Sequence, residues 1–184
     1  MAATPQDVTG FWRAAGPAKW FATSHRFDDA IRLKFEPVHH RAARGEYDGW
    51  AAAAEGSLAL LILLDQFPRN LYRGSAHAFA TDPKARHIAR AAVSAAHDRA
   101  VDPELRQFFY MPFQHSEDLA DQDEAVRLFA ALKDETGNAE LLKWAELHRD
   151  IIVRFGRFPH RNPLLGRLTT PNEQAFLDEG GFAG

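Results

Sequence analysis

A chain of 184 residues with no cysteine and a formal net charge of −3 is long enough to bury a core of its own, and it excludes disulfide frameworks, thiolate zinc sites and cysteine nucleophiles. Charges of both signs are mixed along it, so it lacks the field that holds a nucleic acid, and its longest apolar run, Leu58 to Leu64, is too short to span a bilayer. The opening MAATPQDVTGFW has no basic region followed by an apolar run, so the expectation is a soluble, cytoplasmic single domain over 1–184 that binds neither nucleic acid nor membrane.

Helix starts are marked where an oxygen-bearing side chain precedes proline, because proline suits the first helical position and the oxygen caps free amides. This occurs at Thr4-Pro5, Asp82-Pro83, Asp102-Pro103 and Thr170-Pro171, and Thr170 with Glu173 has capping-box spacing. In chain order the pattern predicts helices over 5–14, 25–44 with Gly45 as stop, 56–67, 83–99, 103–110, 116–134, 138–157 and 171–178. Pro37 should kink the second. No segment alternates β-branched and polar residues between turn signals, so the expected fold class is all-α, an antiparallel helical stack or bundle.

Phe11, Trp12, Trp20, Phe21 and Phe27 crowd the first helices, an aromatic density that reads as packing before it reads as a ligand cage. Ser57 to Leu64 is apolar on every side and should be the central buried helix. Asp65 closes it; a carboxylate there needs a partner, and Arg69 is the local candidate for a clamp. The same carboxylate could instead orient a histidine general base. In 138–157, Leu141, Trp144, Ala145, His148, Ile152 and Phe155 share a face, so His148 points with the apolar stripe.

Two strings carry most of the distinctive polar residues. Gln66-Phe-Pro-Arg-Asn70 followed by Arg73-Gly74 resembles Arg157-Phe-Pro-His-Arg-Asn162 followed by Gly166-Arg167. In the plain account proline ends each helix, arginine favours its negative end and asparagine suits the turn. In the sharper one, Arg69, Arg73, Arg157, Arg161 and Arg167 converge on a carboxylate or phosphate. The other string runs from Phe108 through Pro112 to His115, Ser116, Glu117, Asp118, Asp121 and Gln122. It is either a helix N-terminus capped by Ser116 or, if the helix starts before Pro112, a face on which His115, Asp118 and Gln122 meet one metal with His148. No His-Glu-x-x-His or paired Glu-x-x-His signature supports a metal, and no glycine-rich phosphate loop or nucleophile elbow occurs. The expected cofactor and metal complement is none.

The strings Phe11-Trp12, Trp20-Phe21, Phe27-Asp28, Leu63-Leu-Asp-Gln-Phe-Pro-Arg-Asn70, Phe79-Ala-Thr-Asp82, Tyr110-Met-Pro-Phe-Gln-His-Ser-Glu-Asp118, His148-Arg149 and Arg154-Phe-Gly-Arg-Phe-Pro-His-Arg-Asn162 together resemble a bacterial family catalogued as domain of unknown function 924. The likeness spans nearly the whole chain. It implies a tetratricopeptide-like stack of antiparallel helices with a groove, and no chemistry. Gln114 stands where that family's motif typically carries Glu, which removes one candidate carboxylate.

The leading expectation is a pocket lined by Asp65, Gln66, Arg69, His115, Glu117, His148, Arg157, His160 and Arg161 that takes an anionic small molecule. Were it an enzyme, His115 or His148 would transfer the proton, Asp65 would orient it and the arginines would stabilise charge. The alternative is a tetratricopeptide-like scaffold whose groove receives a protein partner without catalysis. The chain carries no mark of a reaction or an oligomeric state.

Overall fold

The computed structural model describes residues 3–182. They are helical, and among them there is no strand, as the absence of period-two patterning required. The chain forms two compact units: the described residues up to Arg73 with His77–Pro112, and Gly74–Ala76 with the described residues from Phe113 onward.

The first unit opens with α1 (Pro5–Ala15), whose N-cap Thr4 forms a full capping box with Asp7. The short α2 (Pro17–Trp20) and long α3 (His25–Ala43) follow, the latter with Pro37 inside it and Gly45 beyond it in the left-handed region. Next comes α4 (Ala54–Leu61), which runs into a π-helical turn, Ile62–Gln66, and then α5 (Phe67–Leu71). Ser57 and every residue from Leu58 to Leu64 have no solvent exposure, the central position expected of an all-apolar helix. The aromatics pack around it. Trp12 lies 5.5 Å from Phe108, 5.6 Å from Phe67 and 6.0 Å from Trp20 between ring centroids, and Trp20 Nε1 donates to the Trp12 carbonyl at 2.7 Å.

The helix expected to stop before Pro68 continues to Leu71, and the π turn is the reason. The Phe67 amide bonds the Ile62 carbonyl, one residue further back than in an α-helix, and the wider turn makes room for the proline ring. Two buried carbonyls lose their helical donors as a result, Leu63 to the shift and Leu64 to the proline. His39 Nδ1 meets Leu63 O at 2.8 Å and Thr81 Oγ1 donates to Leu64 O at 2.5 Å. Both carbonyls are satisfied from other elements.

The unit ends with α6 (Asp82–Ser94) and the start of α7 (Gln107–Gln114). The expected helix 83–99 stops early because Ala96 turns left-handed, φ 58°. The α-helix expected over 103–110 starts later and runs further: Pro103–Leu105 is a separate 3-10 turn, and α7 passes through Pro112. Burying Phe108, Phe109, Tyr110, Met111 and Phe113 is worth roughly 1.5–3 kcal/mol per side chain, more in sum than the ~3 kcal/mol a mid-helix proline costs.

The second unit is built on α8 (Leu119–Thr136) and α9 (Glu140–Phe155), a helical hairpin turned at left-handed Gly137, and closes with α10 (Pro171–Asp178). On α9, Ala145, His148, Ile151 and Ile152 are buried. Trp144, expected on that stripe, is 49% exposed. The Thr170–Glu173 capping box forms as its spacing predicted.

Candidate functional site

In the first unit Asp65, Gln66 and Arg69 follow one another around the π turn. Asp65 is fully buried, and Gln66 Nε2 donates to its Oδ2 at 2.6 Å. Arg69 Nη1 stands 3.4 Å from Asp65 Oδ1, and the guanidinium grips Asp82 through both oxygens at 3.0 and 3.1 Å. Burial opposes the charge of Arg69, yet the two carboxylates hold its pKa above the ordinary value. Two carboxylates thus flank the one guanidinium. The group ties the π turn to the start of α6. Arg73 is engaged likewise: it and Asn70 both donate to Asp28, at 2.8 Å each.

In the second unit two of the predicted residues are also clamps. Arg157 grips Glu173 at 2.6 and 2.8 Å and donates to the Leu168 carbonyl, which fastens α10 to the end of α9. Glu117 accepts the Phe158 amide at 2.8 Å and two bonds from Arg167 at 2.6 and 2.9 Å. Its burial raises the carboxyl pKa, but the Arg167 and Phe158 donors outweigh that and the net shift is downward. The paired strings therefore build similar clamps in separate units, each tying a turn after an apolar helix to a carboxylate elsewhere.

The segment between α7 and α8 leads into a capped helix N-terminus, as the first of the two expectations had it, but the capping residue is a different one. Asp118, not Ser116, caps α8, accepting the Ala120 amide at 2.8 Å. Ser116 Oγ accepts the Asp118 amide and donates to Asp121 at 2.8 Å. Because α7 ends at Gln114, His115, Asp118 and Gln122 do not share one helix face, and Gln122 Nε2 is taken by the carbonyls of Gln114 and Ser116 at 2.7 and 2.6 Å. Among the described residues no three His, Asp or Glu side chains are placed to hold one metal ion.

The remaining predicted residues come together. The His115 and His148 rings lie 6.4 Å apart; His148 packs edge-on to Phe158 at 5.5 Å, and Phe158 lies 5.7 Å from His160. Arg161, itself buried, stacks on the Phe158 ring at 4.5 Å and donates to the His115 carbonyl at 3.0 Å. The His148 pKa falls to about 3: burial is the main cause, the Trp144 carbonyl opposes it, and His115, Arg161 and His160 add their positive character. The sequence reading missed Phe158, which is wholly buried at the centre of this group, and Phe182, whose ring lies 4.6 Å from His148 and 5.2 Å from His160. The Gly180-Gly181 pair before Phe182 was the available signal.

An all-helical protein with a histidine- and arginine-lined group at the ends of its helices is the class these observations define. The family described as Bacterial protein of unknown function (DUF924) matches residues 8–181, and the chain belongs to it. It is similar to the solved structure of a protein of unknown function from Agrobacterium tumefaciens, with 51% identity over 96% of this chain and 97% of that one and a TM-score of 0.89. No curated protein matches it. Among the described residues no helix is long and apolar enough to cross a membrane.

Proposed function

We propose that the second unit binds a small anionic molecule at His115, His148, His160 and Arg161. The observation that carries this reading is the gathering of His148, His160 and the buried Arg161 guanidinium on the Phe158 ring, with His115 beside His148, where burial first and positive neighbours second suppress protonation of His148. An anion relieves that repulsion, and the low-dielectric surroundings strengthen its attraction. Arg161 supplies the planar fork that suits carboxylate or phosphate. Arg157, Glu117, Asp65, Gln66 and Arg69 act through position, holding the turns and helix ends around which each unit is built.

Proton transfer is a narrower option. With a pKa of about 3, His148 is a poor general base at neutral pH. A bound anion raises that pKa, so binding itself would make the imidazole a competent base. The test is a titration with inorganic phosphate and with citrate at constant ionic strength, following the histidine ring resonances. Saturable shifts at millimolar ligand, an upward move of the His148 pKa and a tenfold or greater weakening in Arg161→Gln, by the loss of about 1.4 kcal/mol, are expected. Ring signals that stay fixed in both titrations would sink the reading.

A second reading, a tetratricopeptide-like scaffold for a protein partner, draws on the α8–α9 hairpin and on the exposure of Trp144 and Leu147 on α9. It expects Trp144→Ala to abolish partner binding with no effect on phosphate.

A further inference from the structure

We infer that the anion taken by this site is carried on a flat aromatic body, and that Phe182 of the chain itself occupies that body's place. The inference rests on the anion-binding reading and specifies its ligand. Phe182 lies against both His148 and His160, at 4.6 and 5.2 Å between ring centroids, and 6.3 Å from Trp144. It is partly buried on the Ile151, Ile152 and Phe158 cluster. Two of the imidazoles offered to the anion therefore have a phenyl ring against them. A bare oxyanion has no use for those ring faces. A ligand with an aromatic ring beside its anionic group takes the contacts of Phe182 one for one, tilted against one imidazole and edge-on to the other, while Arg161 meets its charge.

The placement of Phe182 is built into the chain. Arg157 fastens Glu173 and with it the first turn of α10. At the far end of α10, Gly180 takes a left-handed backbone, φ 83°, which only glycine adopts at no cost. Gly181 donates to the Phe176 carbonyl at 2.9 Å, and a Cβ there would come within 2.5 Å of that carbonyl and of the Phe176 ring. A side chain at 181 is thus excluded by backbone as well as by a ring. The two glycines bend the chain past Phe176 and deliver Phe182 to the histidines.

The experiment compares phenyl phosphate with inorganic phosphate, and benzoate with acetate, on the intact chain, on Phe182→Ala and on Gly181→Ala, with ring resonances as readout and thermal melts to confirm folding. Removing the ring should tighten phenyl phosphate and benzoate about tenfold or more, the worth of burying a phenyl group, and change phosphate and acetate less than about twofold. Gly181→Ala, which displaces the ring without deleting it, should act in the same direction, and it serves alone if Phe182→Ala does not fold. Equal gains for the aromatic and the plain anions, or no binding of either aromatic anion where phosphate binds, would overturn this inference and leave the anion site standing. Silence of the histidine rings toward all four compounds would remove both.

Discussion

His148 Nδ1 and the Trp144 carbonyl lie 2.7 Å apart. A carbonyl only accepts, so the bond fixes the proton on Nδ1 and leaves Nε2 as the ring's acceptor in the neutral state. One turn of α9 thereby selects the tautomer.

That neutral state makes stability depend on pH. The His148 pKa of about 3 lies below the 6.5 of a free imidazole, so between these values the unfolded chain binds a proton that the folded one refuses. Stability is undiminished above about pH 6.5 and is lost as the pH falls toward 3. Urea denaturation at pH 7 and pH 4.5 should show a loss that is smaller in His148→Gln by about 2 kcal/mol. The same loss in both proteins would refute this origin.

Glu173 acts in a lower window. The Arg157 hydrogen bonds are the main cause of its low pKa, about 2; burial opposes them, and Thr170 adds to them. Its contribution is present above the ordinary value of 4.5 and is lost as the pH drops toward 2. Glu173→Gln keeps the shape but weakens the clamp and the capping box; its melting temperature at pH 7 should fall by about 3 °C, and its melting should become less sensitive to pH below 4.5. An unchanged Tm would mean that Arg157 and Thr170 hold α10 without the charge.

The π turn predicts a cost at a residue remote in sequence. His39 is buried and its pKa is lowered, mainly by burial, partly offset by the bond to Leu63 O. His39→Phe fills the space but removes the donor, and an unsatisfied buried carbonyl costs about 1–3 kcal/mol. Thr81→Val should cost a similar amount at Leu64 O. Denaturant midpoints measure both; losses below about 0.5 kcal/mol would show that those carbonyls find other donors.

Two glycines in helices should respond in opposite directions. A Cβ on Gly56 would stand 2.0 Å from the Trp50 carbonyl oxygen, whereas one on Gly10 meets nothing within 4 Å. Gly56→Ala should destabilise by about 2–4 kcal/mol. Gly10→Ala, in the exposed interior of α1, should stabilise by about 0.5–1 kcal/mol. Paired thermal melts decide it, and similar outcomes at the two sites would contradict the close approach of α4 to the Trp50 turn.

Local chemistry made much of this molecule readable from its sequence. Thr4 and Thr170 cap their helices because the groups that satisfy the free amides lie three residues away in the chain. The run from Leu58 to Leu64 is buried because an apolar residue on every face leaves no side to show to water. His148 points inward because helical spacing puts it on the same stripe as Ala145 and Ile152. Where long-range contacts compete with local preference, sequence reasoning fell short. Pro68 and Pro112 both lie within helices, since a π turn relieved one and aromatic burial outweighed the other. The Asp65–Arg69 pair was readable because its partners lie one helical turn apart, but tertiary structure alone decided the remote partners, because a guanidinium binds whichever carboxylate the fold brings near: Asp82 for Arg69, Glu173 for Arg157, Glu117 for Arg167. It likewise brought Phe182 against His148, across 34 residues of chain, since ring contacts of that kind leave no period in the sequence.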